Sequence, residues 1–446
     1  MTNYLVLGSG LVAGPCVDYL CRQPESHVTV ASNLPDEAQA LVNGYDNARA
    51  VHLDASDEDE MVGLVRAHDV AISLLPPAFH VPVAEACIRG GTHFVSASYE
   101  TEAMRALAGA AEQAGVGLFN EIGLDPGIDH LGAMQIIDKA RADGERITHF
   151  ISWCGGLPAP HSNDNPLGYK FSWQPKGAIL VLLNTAQFLQ DGAPVHVPGK
   201  RLMDWARPVV IGAERFACYP NRNSINYREI YGLDGIDTLI RGTLRWPGFC
   251  EIMAAAKRLS LFAQSPHEQP SQTSWCDLVK SLNQGQEIAD IRQGLSRRAR
   301  TALDWLGVFS NAPVGPYVTP LDAFCALLLE RLSYAPGEQD MIVLSHKFIL
   351  RRPDGSQRFK QMILRLEGQP GGPSAMARTV GLPAAMAARL LGEGQLQKTG
   401  LILPVSPDIY APMLNWLAAE GICFEEQAFG PDEMSTQTFL AELAEP

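Results

Sequence analysis

Apolar and polar positions follow a regular rhythm over about the first 125 residues of the chain. Short apolar runs of the kind found in buried parallel strands are separated by segments with helical spacing. The pattern predicts strands at 4–7, 27–31, 50–53, 70–75, 94–96 and 116–120, and helices at 12–20, 57–67, 81–89 and 104–114. Because strands and helices alternate, we predict an α/β fold with a doubly wound parallel sheet.

From about residue 130 the rhythm changes and indicates a second region of mixed structure. A β-rich segment at 148–153 precedes a stretch rich in glycine, proline and asparagine at 155–176, and loops this long are usually functional. A polar, proline-containing segment at 263–275 is followed by helical spacing at 286–332. Strand patterns at 340–350 and 359–366 flank a Pro-Asp-Gly turn and predict a hairpin, and 374–425 return to a helix–strand–helix pattern.

Composition narrows the class of protein without changing this picture. The 446 residues are 46% hydrophobic and 19% charged, which is typical of a globular chain with two or three domains. A formal charge of −14 without a basic run argues against nucleic acid or an anionic membrane surface as partner. Nine scattered cysteines with no C-x-x-C pair argue against a disulfide framework or a zinc site. With no signal peptide or long apolar span in the sequence, we expect a cytoplasmic enzyme that uses no metal.

A glycine-rich turn follows the first predicted strand and opens the first predicted helix. It has the spacing Gly8-x-Gly10-x-x-Ala13. The first glycine permits a tight turn, the second lets a pyrophosphate approach the backbone, and the alanine allows close helix–strand packing. In this strand–turn–helix context the motif favours a dinucleotide site over a glycine turn without a ligand.

The end of the second predicted strand distinguishes between the two nicotinamide cofactors. An acidic residue there would hold the ribose 2′-hydroxyl of NAD, but this chain has Ala31-Ser32-Asn33. The lack of a carboxylate removes repulsion against a 2′-phosphate, and both Ser32 and Asn33 are able to donate to one. We therefore favour NADP(H), with NAD(H) as the alternative; the simpler interpretation is that the two residues only start a loop.

A second motif, NEIGLDPG at 120–127, directly follows the sixth predicted strand. This is the sheet edge at which open α/β proteins bind ligands. The carboxylate of Asp125 is suited there to accept a proton or orient an ammonium group, although an aspartate before Pro-Gly is more often a turn former. Ser98 and Tyr99 end the preceding strand at the same edge, where Tyr99 is either a polar group of the site or a half-buried aromatic residue.

Candidate residues in the second region are a cysteine, a lysine, a tryptophan and two arginines. Cys154 precedes two glycines, and Lys170 and Trp173 lie in the glycine-rich stretch. A buried small hydrophobe and a solvated lysine are the ordinary interpretations of Cys154 and Lys170. Arg222 and Arg245 have apolar or glycine-rich neighbours. Because guanidinium groups bind carboxylates in a bidentate manner, these arginines indicate either a carboxylate-bearing substrate or internal ion pairs.

Taken together, these segments resemble the saccharopine reductase family, the glutamate-forming saccharopine dehydrogenases that use NADP. The resemblance covers almost the whole chain and is weakest around 263–335. The matching segments are LGSGLVA at 7–13, NEIGLDPGIDH at 120–130, CGGLPAP at 154–160, DNPLGYKFSW at 164–173, CYPNRNS at 218–224, RGTLRW at 241–246, VLSHKF at 343–348 and MARTVGLPAAMA at 376–387. In the family pattern, an arginine suited to the 2′-phosphate stands where this chain has Asn33.

The resemblance implies a fold and a reaction. It implies a Rossmann domain at 1–128 completed by 385–446, a substrate and dimerisation domain at 129–262 and 336–384 with a mixed sheet, and a small helical insertion at 263–335. The reaction joins glutamate and 2-aminoadipate 6-semialdehyde as an imine, which NADPH reduces to saccharopine, and it also runs in reverse. A homodimer is expected.

The resemblance also implies roles for individual residues. Acid–base groups are expected at Asp125, Cys154 and Tyr99. Substrate contacts are expected at Ser98, Tyr99, Asp125, Arg222, Thr243, Leu244 and Arg245. A cofactor site is expected along Gly8, Gly10, Leu11, Val12, Ala13, Ser32, Asn33, Leu34, Leu53, Asp54, Leu74, Ala97, Ser98, Leu124, Asp125, Pro126 and Trp173.

Two other functions compete with this interpretation. One is a related imine reductase with a different amine and aldehyde, of the carboxynorspermidine or opine type. The presence of both Arg222 and Arg245 argues against it, because they suit a product with three carboxylates. The other is a nucleotide-binding sensor without catalysis, which predicts the loss of Asp125 or Tyr99, and both are present.

Overall fold

The computed structural model describes residues 1–172, 175–267 and 273–443. Its strands are β1 Thr2–Leu7, β2 Ser26–Ser32, β3 Ala48–His52, β4 Val70–Ser73, β5 His93–Ser96, β6 Gly117–Phe119, β7 Arg146–Pro158, β8 Ala186–Gln190, β9 Ala193–Val197, β10 Arg207–Ile211, β11 Glu214–Pro220, β12 Thr238–Arg245, β13 Asp340–Arg351, β14 Gln357–Glu367, β15 Gly400–Ile402 and β16 Glu425–Phe429.

The helices lie mainly between these strands. They are α1 Ala13–Cys21, α2 Pro35–Val42, α3 Glu58–Val65, α4 His80–Gly90, α5 Glu102–Ala106, α6 Ala108–Gln113, α7 Ile128–Ala142, α8 Pro175–Leu180, α9 Tyr227–Ile230, α10 Phe249–Arg258, α11 Trp275–Leu282, α12 Ile288–Gln293, α13 Arg297–Leu306, α14 Pro320–Arg331, α15 Ala375–Gly392, α16 Pro407–Ala419 and α17 Thr436–Phe439. Within the described ranges, no helix is long and apolar enough to cross a membrane.

The chain divides into two compact units. Unit 1 contains residues 1–146 and 372–425, and unit 2 contains residues 147–371 and those from 426 onward. The predicted closing segment 385–446 is therefore split between the units. Its last part joins unit 2 because β16 adds to the sheet beside β14 and Phe439 packs against Ile349 and Phe359.

Unit 1 is the predicted doubly wound sheet. Its strand order is β15-β6-β5-β4-β1-β2-β3, and every neighbouring pair is parallel. The strands are buried runs such as Val70–Ser73, as expected where helices cover both faces. Sequence reasoning missed α2 and predicted one helix at 104–114, which is divided into α5 and α6 at Leu107. The late helix α15 packs on α1, where a Cβ at Gly381 would lie 2.5 Å from the Val12 carbonyl oxygen.

Unit 2 contains a mixed sheet with helices against it. The order is β10-β11-β12-β7-β13-β14-β16, with β8 attached to β12 and β9 attached to β8. Strands β7 and β12 are parallel, whereas β11–β12 and the predicted hairpin β13–β14 are antiparallel. Strand β7 continues to Pro158, so the start of the predicted loop at 155–176 is a strand.

The helices of the predicted insertion at 263–335 share the core of unit 2. Trp275 and Leu303 belong to the same buried apolar cluster as Trp153 and Phe216 of the sheet. This arrangement follows from the amphipathic spacing of these helices, because each needs an apolar surface on which to bury one face.

Candidate functional site

The glycine-rich turn has the geometry that the sequence predicts. Gly8 follows β1 with a φ of +105°, and a Cβ there would lie 3.2 Å from the Leu74 carbonyl oxygen. A Cβ at Gly10 would meet no atom within 4 Å, so the backbone at Gly10 is open to a ligand. Ala13, at the start of α1, is fully buried. The turn therefore leaves its second glycine accessible just before the helix begins, as a pyrophosphate requires.

Two apolar side chains near this turn are unusually exposed. Leu11 is 71% and Leu34 is 49% exposed, although leucine side chains are generally buried. Leu11 lies within the turn and Leu34 follows the end of β2. Both leucines therefore leave apolar surface exposed near the carboxyl ends of β1 and β2, the edge at which open α/β sheets bind ligands.

The end of β2 carries a pair of serine hydroxyls. Ser9 Oγ and Ser32 Oγ lie 2.8 Å apart, and the Leu34 amide donates to Ser32 Oγ at 3.1 Å. Asn33 is exposed, and the Glu37 carboxylate lies 3.5 Å from Ser9 Oγ. Sequence reasoning found no acid at the end of β2, but α2 brings one to the neighbouring turn. The described part of this edge thus offers hydroxyl groups, an exposed amide and one carboxylate.

Other predicted cofactor residues follow the carboxyl ends of the parallel strands. Leu53 and Asp54 follow β3, Leu74 follows β4, and Ala97 follows β5. Parallel strands place their carboxyl ends at one edge, so these residues line the same edge as the glycine turn. Trp173 lies outside the described residues.

Asp125 and Tyr99 are joined by a hydrogen bond in unit 1. The Tyr99 hydroxyl donates to Asp125 Oδ1 at 3.1 Å, and both side chains are half-buried. The loop around Asp125 is fixed by the Gly123 amide, which donates to the Pro126 carbonyl at 2.8 Å. A Cβ at Gly127 would lie 2.0 Å from the Gly123 carbonyl oxygen, so no larger residue fits there. The turn predicted for Asp-Pro-Gly is present, and it presents Asp125 to Tyr99.

A buried contact between a histidine and a glutamate joins the two ends of this loop. His130 Nε2 lies 2.9 Å from Glu121 Oε2, and both side chains are at most 5% exposed. The other oxygen of Glu121 accepts from the Glu100 amide at 3.0 Å. Sequence reasoning did not assign either residue. Both stand in the motif NEIGLDPGIDH, so a buried acid and histidine nine positions apart were the available signal.

Ser98 and two further side chains form a second network, which sequence reasoning missed. His80 Nδ1 lies 2.9 Å from Ser73 Oγ, and His80 Nε2 lies 2.8 Å from Ser98 Oγ. Burial lowers the pKa of His80 to about 4, so the imidazole is neutral near pH 7. The network joins the end of β4, the start of α4 and the residues after β5.

In unit 2, Cys154 lies on β7 in register with Thr243 of β12. The cysteine is 6% exposed, and Thr243 is half-buried. A Cβ at Gly155 would lie 2.7 Å from the Leu244 carbonyl oxygen, so the glycine lets the strands approach closely. Leu244 itself is fully buried, and its carbonyl accepts from Arg245 Nη1.

The two predicted arginines have different surroundings in unit 2. Arg222 follows β11 with a φ of +52° and is exposed. Arg245, at the end of β12, is only 7% exposed. Lys170 is also buried and pairs with Asp164 at 2.9 Å and with Glu338, which explains it as a structural ion pair.

Arg245 is a buried cation without a carboxylate partner. Among the described residues none forms a salt bridge with it: Nη1 donates to the Leu244 carbonyl at 2.8 Å and Nε has no partner. Its guanidinium carbon lies 5.2, 5.4 and 6.0 Å from the ring centres of Tyr169, Phe249 and Tyr219. Aromatic faces attract a cation but do not neutralise it. Arg245 is therefore ready to bind an anion.

Comparisons with known proteins agree with these features. The family model "Saccharopine dehydrogenase NADP binding domain" matches residues 4–118, and "Saccharopine dehydrogenase C-terminal domain" matches residues 123–422. The chain is 38% identical to the saccharopine dehydrogenase [NADP(+), L-glutamate-forming] of Schizosaccharomyces pombe, over 96% of this chain and 99% of that protein.

Two further relatives also indicate the saccharopine dehydrogenase family. The rat mitochondrial alpha-aminoadipic semialdehyde synthase is 39% identical, and the chain spans about half of its length, with 47% covered. The solved structure of the apo, L-Glu-forming saccharopine dehydrogenase from Saccharomyces cerevisiae matches 96% of this chain and 100% of that one, with a TM-score of 0.89 and 37% identity. The chain belongs to the saccharopine dehydrogenase family.

Proposed function

We propose that the protein is an NADP-dependent dehydrogenase that interconverts saccharopine with glutamate and 2-aminoadipate 6-semialdehyde. The full-length similarity to glutamate-forming saccharopine dehydrogenases supports this function. The observation that carries it within the chain is Arg245, a buried guanidinium without a carboxylate. Saccharopine has three carboxylates, one of which is suited to neutralise the guanidinium charge of Arg245.

Unit 1 binds the cofactor in this proposal. The Gly8 to Ala13 turn holds the pyrophosphate, and the hydroxyls of Ser9 and Ser32 with the amide of Asn33 lie towards the adenosine ribose. Leu11 and Leu34 cover its apolar faces. The open backbone at Gly10 fits this role, because a side chain there would occupy the space of the phosphates. When bound, NADP accepts a hydride from the carbon beside the secondary amine and supplies one in the reverse direction.

Asp125 and Tyr99 are the proposed acid–base pair. The reaction requires a proton to leave the amine of saccharopine and protons to move as water adds to the imine and the amine departs. The Asp125 carboxylate is suited to accept a proton, and the Tyr99 hydroxyl keeps one of its oxygens in place at 3.1 Å. Cys154 is the proposed third member of the group, as a neutral partner.

Substrate carboxylates bind to arginines in the proposal. Arg245 holds one by a charge-assisted pair inside unit 2, and Arg222, which is exposed, is suited to meet another at the surface. Thr243, the Leu244 main chain and Ser98 supply neutral contacts. We also propose a homodimer in the cytoplasm; cysteines without a disulfide in the described chain fit a reducing compartment.

The test follows nicotinamide absorbance while purified protein oxidises saccharopine with NADP⁺ or with NAD⁺. The proposal predicts turnover with NADP⁺. Turnover with NAD⁺ alone would keep the reaction and contradict the cofactor. No turnover with either, in protein that binds NADPH, would contradict the substrate and favour another amine–aldehyde pair.

A further inference from the structure

A chain of three side chains connects the interior of unit 1 to the predicted ligand contact Ser98. Ser73 ends β4, His80 begins α4, and Ser98 follows β5. The imidazole lies between the two hydroxyls, 2.9 Å from Ser73 Oγ through Nδ1 and 2.8 Å from Ser98 Oγ through Nε2. None of these contacts follows from a sequence motif, and neither Ser73 nor His80 belongs to the predicted site.

Burial of Ser73 decides which imidazole nitrogen carries the proton. The Ser73 side chain is 1% exposed, and among the described residues His80 Nδ1 is the only partner of its hydroxyl. A buried hydroxyl proton without an acceptor is costly, whereas a hydroxyl oxygen tolerates an empty lone pair more readily. Ser73 therefore donates to Nδ1. A neutral imidazole with Nδ1 as acceptor carries its proton on Nε2.

The neutral state is itself favoured by the surroundings of the ring. His80 is 7% exposed and packs edge-on against Phe94, with ring centres 6.5 Å apart. Burial lowers its pKa to about 4, and no other cause contributes to that shift. The ring is consequently an uncharged relay of one donor and one acceptor at neutral pH.

Ser98 Oγ accepts a hydrogen bond from the Nε2–H group of His80. Its own hydroxyl proton is therefore available for donation to another group. Its main chain is fixed on both sides: the Ser98 amide donates to Ser96 Oγ at 3.1 Å, and its carbonyl accepts from the Glu121 amide at 3.1 Å. With the main chain held, the hydroxyl proton can still rotate about the Cβ–Oγ bond. Because His80 donates to Oγ, this proton points away from the imidazole ring. Ser98 is half-buried, which leaves part of the residue open to a ligand.

We propose that His80, locked by Ser73 in the tautomer with the proton on Nε2, is a positioning residue that makes Ser98 a hydrogen-bond donor to an acceptor oxygen of the ligand. The proposal rests on the proposed function for the identity of that ligand. The acceptor belongs either to a substrate carboxylate or to the carboxamide of the nicotinamide. Both present an sp² oxygen that accepts from a serine hydroxyl: the carboxylate has two such oxygens and the carboxamide has one.

The first test measures the tautomer directly. Long-range ¹H–¹⁵N correlation on protein labelled at histidine nitrogens distinguishes the protonated from the unprotonated nitrogen of His80. We expect Nε2–H in the wild type and a mixture of tautomers in Ser73→Ala, with Ser73→Thr restoring the wild-type pattern. A wild-type signal from Nδ1–H would overturn the proposal whatever the enzyme oxidises.

The second test separates the two contacts of the ring. His80→Gln places an amide near the position of Nε2 and retains a donor to Ser98, whereas His80→Asn reaches only towards Ser73. We expect kcat/KM for saccharopine to fall about tenfold in His80→Asn and to stay within about threefold of the wild type in His80→Gln, since one neutral hydrogen bond contributes about this factor. If His80→Asn does not fold, Ser73→Ala against Ser73→Thr makes the same comparison.

A matched control is available at His68. This histidine is also 7% exposed in unit 1, and both of its nitrogens are hydrogen-bonded, to the Leu64 carbonyl and the Thr29 hydroxyl. His68→Gln should leave kcat/KM unchanged even if it lowers the melting temperature. Equal losses of kcat/KM in the His68 and His80 variants would overturn the proposal, because both would then act through stability alone.

Two measurements identify the ligand that accepts from Ser98. An increased Kd for NADPH in His80→Asn, measured by the fluorescence of NADPH, assigns the acceptor to the carboxamide. A higher KM for saccharopine with an unchanged Kd for NADPH assigns it to a substrate carboxylate. If neither constant changes, the proposal is wrong. If the wild type binds NADPH but does not oxidise saccharopine, the proposed function is wrong. The tautomer of His80 and the Kd for NADPH in the His80 variants still test this inference in that case.

Discussion

The two units arrange their candidate functional groups in opposite ways. In unit 1, donors and acceptors already meet within the protein, as in the Tyr99–Asp125 bond of 3.1 Å. In unit 2, Arg245 is buried among aromatic rings with no carboxylate beside it in the described chain, and its Nε has no partner. One unit has a satisfied polar network, and the other has a charge without its counterpart.

This difference assigns a different task to each unit. A satisfied network fixes the orientation of a few atoms and costs little stability, which suits groups that move protons. A desolvated cation without a counterion lowers stability and is explained when a ligand supplies the missing charge. In the proposed function, unit 1 therefore positions acid–base groups, and unit 2 selects an anionic substrate.

The largest expected effect comes from removing the charge at Arg245. Arg245→Met should lower kcat/KM for saccharopine roughly a thousandfold, because a buried charged pair contributes about 2–5 kcal/mol to binding. The melting temperature should not fall, since the substitution removes a desolvated charge that no carboxylate compensates. Differential scanning calorimetry and steady-state kinetics on the same preparation measure both.

The control for this prediction is Arg298→Met. Arg298 is exposed and pairs with Glu251 at 3.2 Å, so its removal should leave kcat/KM unchanged. An active Arg245→Met enzyme with a lowered melting temperature would show that Arg245 is a structural residue, and the contrast between the units would be lost.

Loss of the carboxylate at Asp125 ranks second. Asp125→Asn should lower kcat about a hundredfold, as is typical when a general base is removed, with the Kd for NADPH unchanged. Asp59→Asn, an exposed residue of α3, is the control for loss of one acidic charge in unit 1. Unchanged turnover in Asp125→Asn would remove the main mechanistic assignment in unit 1.

A smaller effect is expected where the cofactor phosphate would lie. Asn33 is exposed beside the Ser9–Ser32 pair, and Asn33→Arg adds a cation suited to a 2′-phosphate. We expect the Kd for NADPH to fall about tenfold at low salt, with the Kd for NADH unchanged. Asn43→Arg adds the same charge at the other end of α2 and should change neither value. Equal tightening of NADPH and NADH would contradict this location of the phosphate.

The smallest expected effect concerns stability against pH. Burial lowers the folded-state pKa of His80 to about 4 from an unfolded value near 6.5, so the unfolded chain binds the proton more tightly. The contribution of neutral His80 to the free energy of unfolding is therefore fully present above pH 6.5, and it is lost as the pH falls towards 4. Between pH 7 and 5.5 the loss amounts to about 1 kcal/mol. Urea unfolding of wild type and His80→Gln measures it, and parallel pH curves for the two would contradict the assignment.

The fold of unit 1 was predictable because its signals are local. Each strand is a short apolar run, and the turn at Gly8 needs only neighbouring residues. The unpredicted details arose where local signals conflict: the Pro-containing α2 lies in a polar segment, and β7 continues through Gly155, where only the close approach to Leu244 explains a glycine in a strand.

The site was less predictable, because tertiary contacts create it. Ser73, His80 and Ser98 stand 7 and 18 residues apart and belong to three different elements, so no spacing announces their network. Sequence reasoning predicted the same role for Arg222 and Arg245. In the structure Arg222 is exposed, whereas Arg245 is enclosed by aromatic rings from three separate segments. Asp125 was predicted as a site residue because its motif stands directly after a strand, where a local rule applies.

The identity of the products tests the central claim most directly. Saccharopine has two C–N bonds at its secondary amine, and oxidation on either side gives different pairs. Amino-acid analysis after incubation with saccharopine and NADP⁺ should find glutamate formed in equal amount to NADPH, with the semialdehyde trapped by an aromatic amine. Lysine and 2-oxoglutarate as products, or no NADPH at all, would contradict the account.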